Sequence, residues 1–221
     1  PGGPPPPGLL GASCCAEAAA VQLETRYGSA EDALQAARQR AEEEDVQQAC
    51  VAYALALDLD GESAELCDEF GQFLLAQGEL EAAERLFGRA SSLEPHNPDY
   101  CYRRGVVLQQ RRQTAKAVEA FLGALRRDPS CVGALFNLGV AHRELGDHAS
   151  ACEDFRKILR YSPGNHGALG MLAESLAELG DTEGAAESLE EALRLDPTNR
   201  AARKDLYRLR QLALAGAAAA S

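Results

Sequence analysis

Residues 132–165, VGALFNLGVAHRELGDHASACEDFRKILRYSPGN, decide how this 221-residue chain is read. Apolar side chains recur at helical spacing from Val132 to Leu145, and Gly146-Asp147 then interrupts the pattern. A second helical pattern runs from about His148 to Tyr161, where Ser162-Pro163-Gly164 stops it. The stretch predicts two short helices joined by a tight turn.

Working outward, the same stretch recurs. Pro95, Pro129, Pro163 and Pro197 are spaced 34 residues apart. Eight residues before the first three stand Phe87, Phe121 and Phe155, in a column that also holds Tyr53 and Leu189. Three columns of small residues share the period: Ala49, Ala83, Ala117, Ala151, Ala185; Ala56, Ala90, Ala124, Ile158, Ala192; and Ala37, Gly71, Gly105, Gly139, Ala173. Small residues let two helix backbones approach where they cross. The aromatic or leucine column fills the gap left beside them, and proline after the second helix prevents that helix from continuing. A fixed period of this length marks stacked helix-turn-helix units rather than one globular core.

Composition agrees. The chain has no Trp, one Met and 5% aromatic residues, too few of the types that β-sandwiches and barrels draw upon. Its 46% apolar content is rich in Ala and Leu, as in helical proteins. The net charge is −12 and unevenly placed: residues 1–99 carry 5 Lys+Arg against 19 Asp+Glu, and residues 100–221 carry 17 against 15. Generic nucleic-acid binding needs a concentrated basic footprint, so nucleic acid is not expected as a partner. No apolar run reaches the roughly 18–20 residues needed to span a bilayer, so the chain is expected to be soluble with no membrane partner. The chain begins PGGPPPPG without Met, as a fragment or processed product does. Its seven cysteines are an odd number with no CxxC pair, which predicts reduced thiols in the cytoplasm, with the nucleus as the other reducing compartment.

The Gly, Ala, Phe, Ala, Pro series at this period resembles the tetratricopeptide repeat (TPR) family. The resemblance implies an all-α, right-handed TPR superhelix, an α-solenoid of five repeats at 30–63, 64–97, 98–131, 132–165 and 166–199. The first repeat is the loosest, with Gly61 at the proline position and Glu43-Glu44-Asp45 at its turn. Residues 200–215 form an amphipathic pattern expected to cap the open end of the array. The Pro/Gly-rich lead, 1–29, and the tail, 216–221, are expected to be largely disordered.

No catalytic apparatus is evident, and the chain is expected not to be an enzyme and to need no cofactor. P-loop, GxSxG and Rossmann glycine patterns are missing from the sequence. His142, His148 and Cys152 fall close together, yet His142 occupies the column of Leu74, Leu108 and Leu176, so packing or a hydrogen bond is expected there rather than metal binding. Cys67 and Cys101 share one column and Cys50 and Cys152 another, as small buried hydrophobes would. Vicinal Cys14-Cys15 lies in the lead, where lipidation or redox chemistry is the alternative to an unreactive pair.

The resemblance implies instead a binding surface, with the first helix of each repeat lining a concave groove. Removing the buried columns leaves Glu65, Asp68 and Gln72; Tyr102, Val106 and Gln109; Phe136, Asn137, Val140 and Arg143; and Gly170 and Glu174. From these, Asp68, Gln72, Tyr102, Val106, Gln109, Phe136, Asn137, Val140, Arg143 and Glu174 are the candidate partner-binding residues. An apolar centre with a polar rim suits a peptide or helical segment, and packing of Tyr102 and Phe136 against neighbouring helices is the alternative. The Lys and Asn carboxylate clamp of chaperone-binding TPR domains is not matched, because Asp68, Gln72, Tyr102 and Val106 stand at those positions and Asp68 would repel a carboxylate. The asparagine ladder of O-linked N-acetylglucosamine transferase is reduced to Asn137, with Gln35, Glu69, Arg103 and Met171 elsewhere in the column.

Arg104 stands in the column of Phe70, Leu138 and Leu172, so it is expected either to snorkel along the helix interface or to pair with an acidic neighbour. The third repeat is locally basic, as a solvated face or a site for an acidic partner segment. Opposite charge at the two ends allows weak head-to-tail self-association. The expected function is a non-catalytic protein-protein interaction scaffold that holds a protein or peptide partner in the concave groove. The alternative is the TPR module of a larger enzyme or transport or ciliary complex with catalysis outside this chain.

Overall fold

The computed structural model describes residues 28–219; the expectations for the lead, for Cys14 and Cys15, and for the last two residues lie outside them. Eleven helices and no strand are found among the described residues: α1 (Ala30–Glu42), α2 (Val46–Leu59), α3 (Ala64–Ala76), α4 (Leu80–Leu93), α5 (Pro98–Gln110), α6 (Thr114–Leu125), α7 (Val132–Glu144), α8 (His148–Tyr161), α9 (His166–Glu178), α10 (Thr182–Leu195) and α11 (Arg200–Ala219). The fold is all-α, built of helices that follow one another in pairs. None of these helices is long and apolar enough to cross a membrane.

Local chemistry sets the helix ends. Ser29, Asp45, Ser63, Asn97, Asp147, Asn165 and Asp181 cap helix N-termini, each side-chain oxygen accepting from a backbone N–H of the first turn. Pro98 opens α5, where its missing N–H removes no helical bond. The turn between paired helices needs a left-handed residue, supplied by Gly78, Gly146 and Gly180 at φ 80–82°. In the same column Glu44 and Arg112 adopt φ 60° and 59° without glycine's freedom.

The chain divides into two compact units, one ending at Arg111 and one beginning at Arg112. In the first, Tyr53, Phe70, Leu74, Leu86 and Phe87 form the centre of the core, and Tyr53 stacks on Phe70 with ring centroids 5.0 Å apart. Gly71 is required there, since a Cβ on it would stand 2.8 Å from the Phe87 ring. In the second, Phe155, Ile158, Leu172, Leu176 and Leu189 form the centre, and a Cβ on Gly139 would stand 2.7 Å from Phe155. The small columns and the aromatic column therefore meet within each pair, as helix crossing requires. α11 seals the second unit with Ala202 and Leu206, both buried, and turns Tyr207 outward.

Two positions depart from the repeat pattern. Arg104, in a column otherwise buried, is exposed, and its guanidinium reaches Glu84 at 3.6 Å. The pairing alternative holds for this side chain, because Gly88 leaves the path beside it open. The final helix runs to Ala219, past Ala215 and into the segment expected to be a disordered tail. Ala217, Ala218 and Ala219 favour the helix more strongly than Gly216 opposes it.

Candidate functional site

In the first unit the exposed face of α3 is closed by its own charges. Glu69 receives a two-pronged bond from Arg38, Nε to Oε1 at 2.7 Å and Nη2 to Oε2 at 2.6 Å, and the Tyr53 hydroxyl donates to the same carboxylate at 3.1 Å. Arg38 holds Glu69 below the usual carboxylate range, and burial raises Tyr53 above the ordinary phenol value. Asp68 faces Arg103 at 3.1 Å and accepts from Gln72 at 2.8 Å. Burial nonetheless raises Asp68, outweighing Arg103. Arg111 pairs with Glu81 at 2.8 Å and with Glu84. Thus Asp68 is engaged within the unit by the charge of Arg103 and by Gln72, although Asp68 Oδ1 and Arg103 Nε make no hydrogen bond, and Arg104 and Arg111 of the basic third repeat are likewise paired with carboxylates of the unit. Tyr102, Val106 and Gln109 on α5 are half-buried.

In the second unit Phe136 and Val140 are half-buried and pack against the core, Phe136 meeting Phe155 edge-on at 5.8 Å and 66°. Asn137 is half-buried beside them. Arg143 reaches from α7 to α9, pairing with Glu174 at 2.6 Å and donating to the Met171 sulfur at 2.9 Å. Beyond that pair lies an open cleft of about 580 Å³ between α9, α10 and α11. Its apolar lining comes from Gly170, Ala173 and Ala177 of α9, Leu189 and Ala192 of α10, and Ala201, Ala202 and Leu209 of α11, of which Ala173, Leu189, Ala192 and Ala202 are buried. Its rim carries Arg143, Glu174, Glu178, Asp205 and Arg208, with His166 and Asn199 also lining it.

The structure thus brings Arg143, Gly170 and Glu174 to one cleft and places Phe136 and Val140 in packing. Sequence reasoning missed Glu178, Asp205 and Arg208. The signal was the run Gly170, Ala173, Ala177, small residues on one helical face, opposite a terminal helix whose second role as a wall is not distinguishable from capping in its amphipathic pattern alone.

Other polar groups are accounted for structurally. His142 Nδ1 lies 2.8 Å from the Asp154 carboxylate, which also accepts from Lys157 at 3.0 Å. Asp154 is buried and His142 half-buried, both in columns that are mostly apolar in the other repeats, and the contact gives the hydrogen bond expected of His142. Cys67 and Cys152 are buried, and burial raises both thiols above their ordinary value, disfavouring the nucleophilic thiolate. No group of three His, Cys, Asp or Glu residues able to hold a metal is found among the described residues.

Two tetratricopeptide repeat models match the sequence, over residues 102–166 and 142–204. No curated protein matches it in sequence. Solved structures resemble the fold. The MamA protein from Desulfovibrio magneticus RS-1 is 18% identical with a TM-score of 0.69, covering 79% of this chain and 99% of its own. YrrB, described as a TPR protein with an unusual peptide-binding site, is 23% identical with a TM-score of 0.69, covering 86% and 98%. A TPR protein from Parabacteroides merdae ATCC 43184 is 20% identical with a TM-score of 0.73, covering 84% and 75%. At these identities the likeness shows the fold alone, and the two models mark residues 102–204 as tetratricopeptide repeats.

Proposed function

We propose that the chain is a non-catalytic protein-interaction scaffold of five repeats, 30–63 to 166–199, that holds an extended or helical segment of a partner against the first helices of its repeats. The observation that carries this reading is the cleft of about 580 Å³ in the second unit, with small residues below and charged side chains around it. Concave sites with an apolar floor and a few polar groups are where proteins hold ligands. Arg143 and Glu174 border the cleft, while Asp68, Gln72, Tyr102, Val106, Gln109, Phe136, Asn137 and Val140, the other candidates from the sequence, stand outside its lining. YrrB, which shares the fold, is described as having a peptide-binding site. The described cysteines, Cys50, Cys67, Cys101, Cys131 and Cys152, are all free of disulfides, which suits a reducing compartment such as the cytoplasm.

Gly170→Phe tests the reading cleanly. A Cβ at Gly170 would meet nothing within 4 Å, so the ring can enter the cleft while the helix keeps its backbone. Affinity capture from lysate with the wild-type chain and this variant, read by mass spectrometry, is expected to show partners lost from the variant while circular dichroism stays unchanged. Identical partner sets would place binding on another face. Phe136→Ala is a poorer probe, because Phe136 supports Phe155 and its loss would disturb the core.

A further inference from the structure

We infer that the cleft between α9 and α11 takes a basic, apolar peptide segment, with a large aliphatic or aromatic side chain on its glycine and alanine floor and a lysine or arginine held by Glu178 and Asp205. This rests on the reading of the chain as a peptide-holding scaffold and names the class of segment held.

The floor argues for the large side chain. Gly170, Ala173, Ala177 and Ala202 leave the space between the two helices unfilled by the protein's own groups, and the place where a Gly170 side chain would stand is empty to 4 Å. A leucine or phenylalanine inserted there loses its apolar surface from water against these small residues and against Leu189 and Leu209, a gain of the usual hydrophobic kind.

The rim argues for the positive charge. Arg143 is neutralised by Glu174 at 2.6 Å and directs a second donor to Met171, so its charge is spent inside the protein. Glu178 and Asp205 form no ion pair with any described residue, and Arg208 is the single unpaired arginine of the rim. His166 is the one further side chain there able to carry charge. Two open carboxylates against one open guanidinium favour a cationic ligand and repel an acidic one. The same balance disfavours nucleic-acid phosphate.

The test uses the full chain and two fluorescein-labelled nonapeptides, Gly-Lys-Leu-Ala-Arg-Leu-Lys-Ala-Gly and its counterpart with Glu at each basic position, titrated by fluorescence anisotropy. The basic peptide is expected to bind about 10-fold or more tighter than the acidic one at low salt, with the preference shrinking as salt rises. Glu178→Gln with Asp205→Asn is expected to weaken the basic peptide about 10-fold and to erase the preference, while the melting temperature stays unchanged, since Glu178 is exposed, Asp205 is half-buried and neither has an ion pair with a described residue to lose. Gly170→Phe is expected to remove binding of either peptide. Equal affinity for the two peptides, or indifference to the charge variant while Gly170→Phe still blocks binding, overturns the charge assignment and leaves the scaffold reading standing. Binding that survives Gly170→Phe overturns the cleft as the seat. Failure of both peptides to bind at about 1 mM, the weak end of specific association, overturns the inference; the same chain capturing partners from lysate in a Gly170-dependent way would then keep the scaffold reading apart from it.

Discussion

Helices α3 and α9 start at the same point of the 34-residue period and use their exposed faces in opposite ways. Asp68, Glu69 and Leu75 on α3 become Gly170, Met171 and Ala177 on α9. On α3 the carboxylates are taken up by Arg38, Tyr53 and Arg103, and the face is occupied by its own ion pairs. On α9 the side chains shrink, Arg143 with Glu174 stands at one edge, and a cleft opens toward α11. Columns that pack change little in size across most repeats, with Ile158, Arg104 and His142 as exceptions, while columns that face outward are free to be filled or vacated. The vacated ones are where a ligand finds room.

The greatest expected effect lies in the aromatic column at the centre of each unit's own core, and it decides whether α3 and α9 sit on equivalent foundations. Phe87→Ala beneath α3 and Phe155→Ala in the second unit should each cost about 3–5 kcal/mol in urea unfolding, because both rings are fully buried. A small cost at either would mean that the aromatic column does not carry the pair. Next comes a difference of sign between the two faces themselves. Gly71→Ala should cost about 1–3 kcal/mol, since its Cβ would press on Phe87 at 2.8 Å. Gly170→Ala should stabilise by about 0.5–1 kcal/mol, since its Cβ meets nothing and only backbone freedom is removed from the unfolded chain.

The polar substitutions inside the second unit sharpen the contrast further. Asp154→Ala strands His142 and Lys157 and should cost about 1–3 kcal/mol. His142→Leu with Asp154→Leu restores apolar side chains found at those columns in other repeats and should recover most of that loss, a non-additive result read by a double-mutant cycle. The smallest effect belongs to α3. Glu69→Gln should cost under about 1 kcal/mol at neutral pH, because Arg38 and Glu69 are both partly exposed. Glu69 is held below its unfolded value of about 4.3, so its contribution is present above that pH and fades as acid protonates it in the folded state. Asp68, raised by burial, acts in the opposite sense, so Asp68→Asn should steepen the acid loss that Glu69→Gln flattens. Melting temperatures between pH 7 and 3 distinguish the two.

Much of the fold was legible because helix crossing and chain reversal allow few residue types. The columns of Gly71, Gly139, Phe87, Phe155 and the spaced prolines announce the paired helices by themselves. Arg104 and His142 were visible as misfits, and each proved to have found a carboxylate, Glu84 and Asp154. The binding face was less legible. Whether Asp68 offers itself to a partner or to Arg103 depends on distances between neighbouring repeats that a single period does not encode. Glu178 and Asp205 came to notice only once α11 stood beside α9, because a wall built from a terminal helix has the same amphipathic pattern as a cap.

Where a segment docks is the central question for this chain. Backbone amide chemical-shift mapping of the labelled full chain, titrated with the basic nonapeptide, reads this directly. Shifts concentrated at Gly170, Ala173, Ala177, Glu178, Ala202 and Asp205, with α3 unmoved, are the predicted result. Shifts centred on Asp68 and Gln72, or no shifts at all, would contradict it.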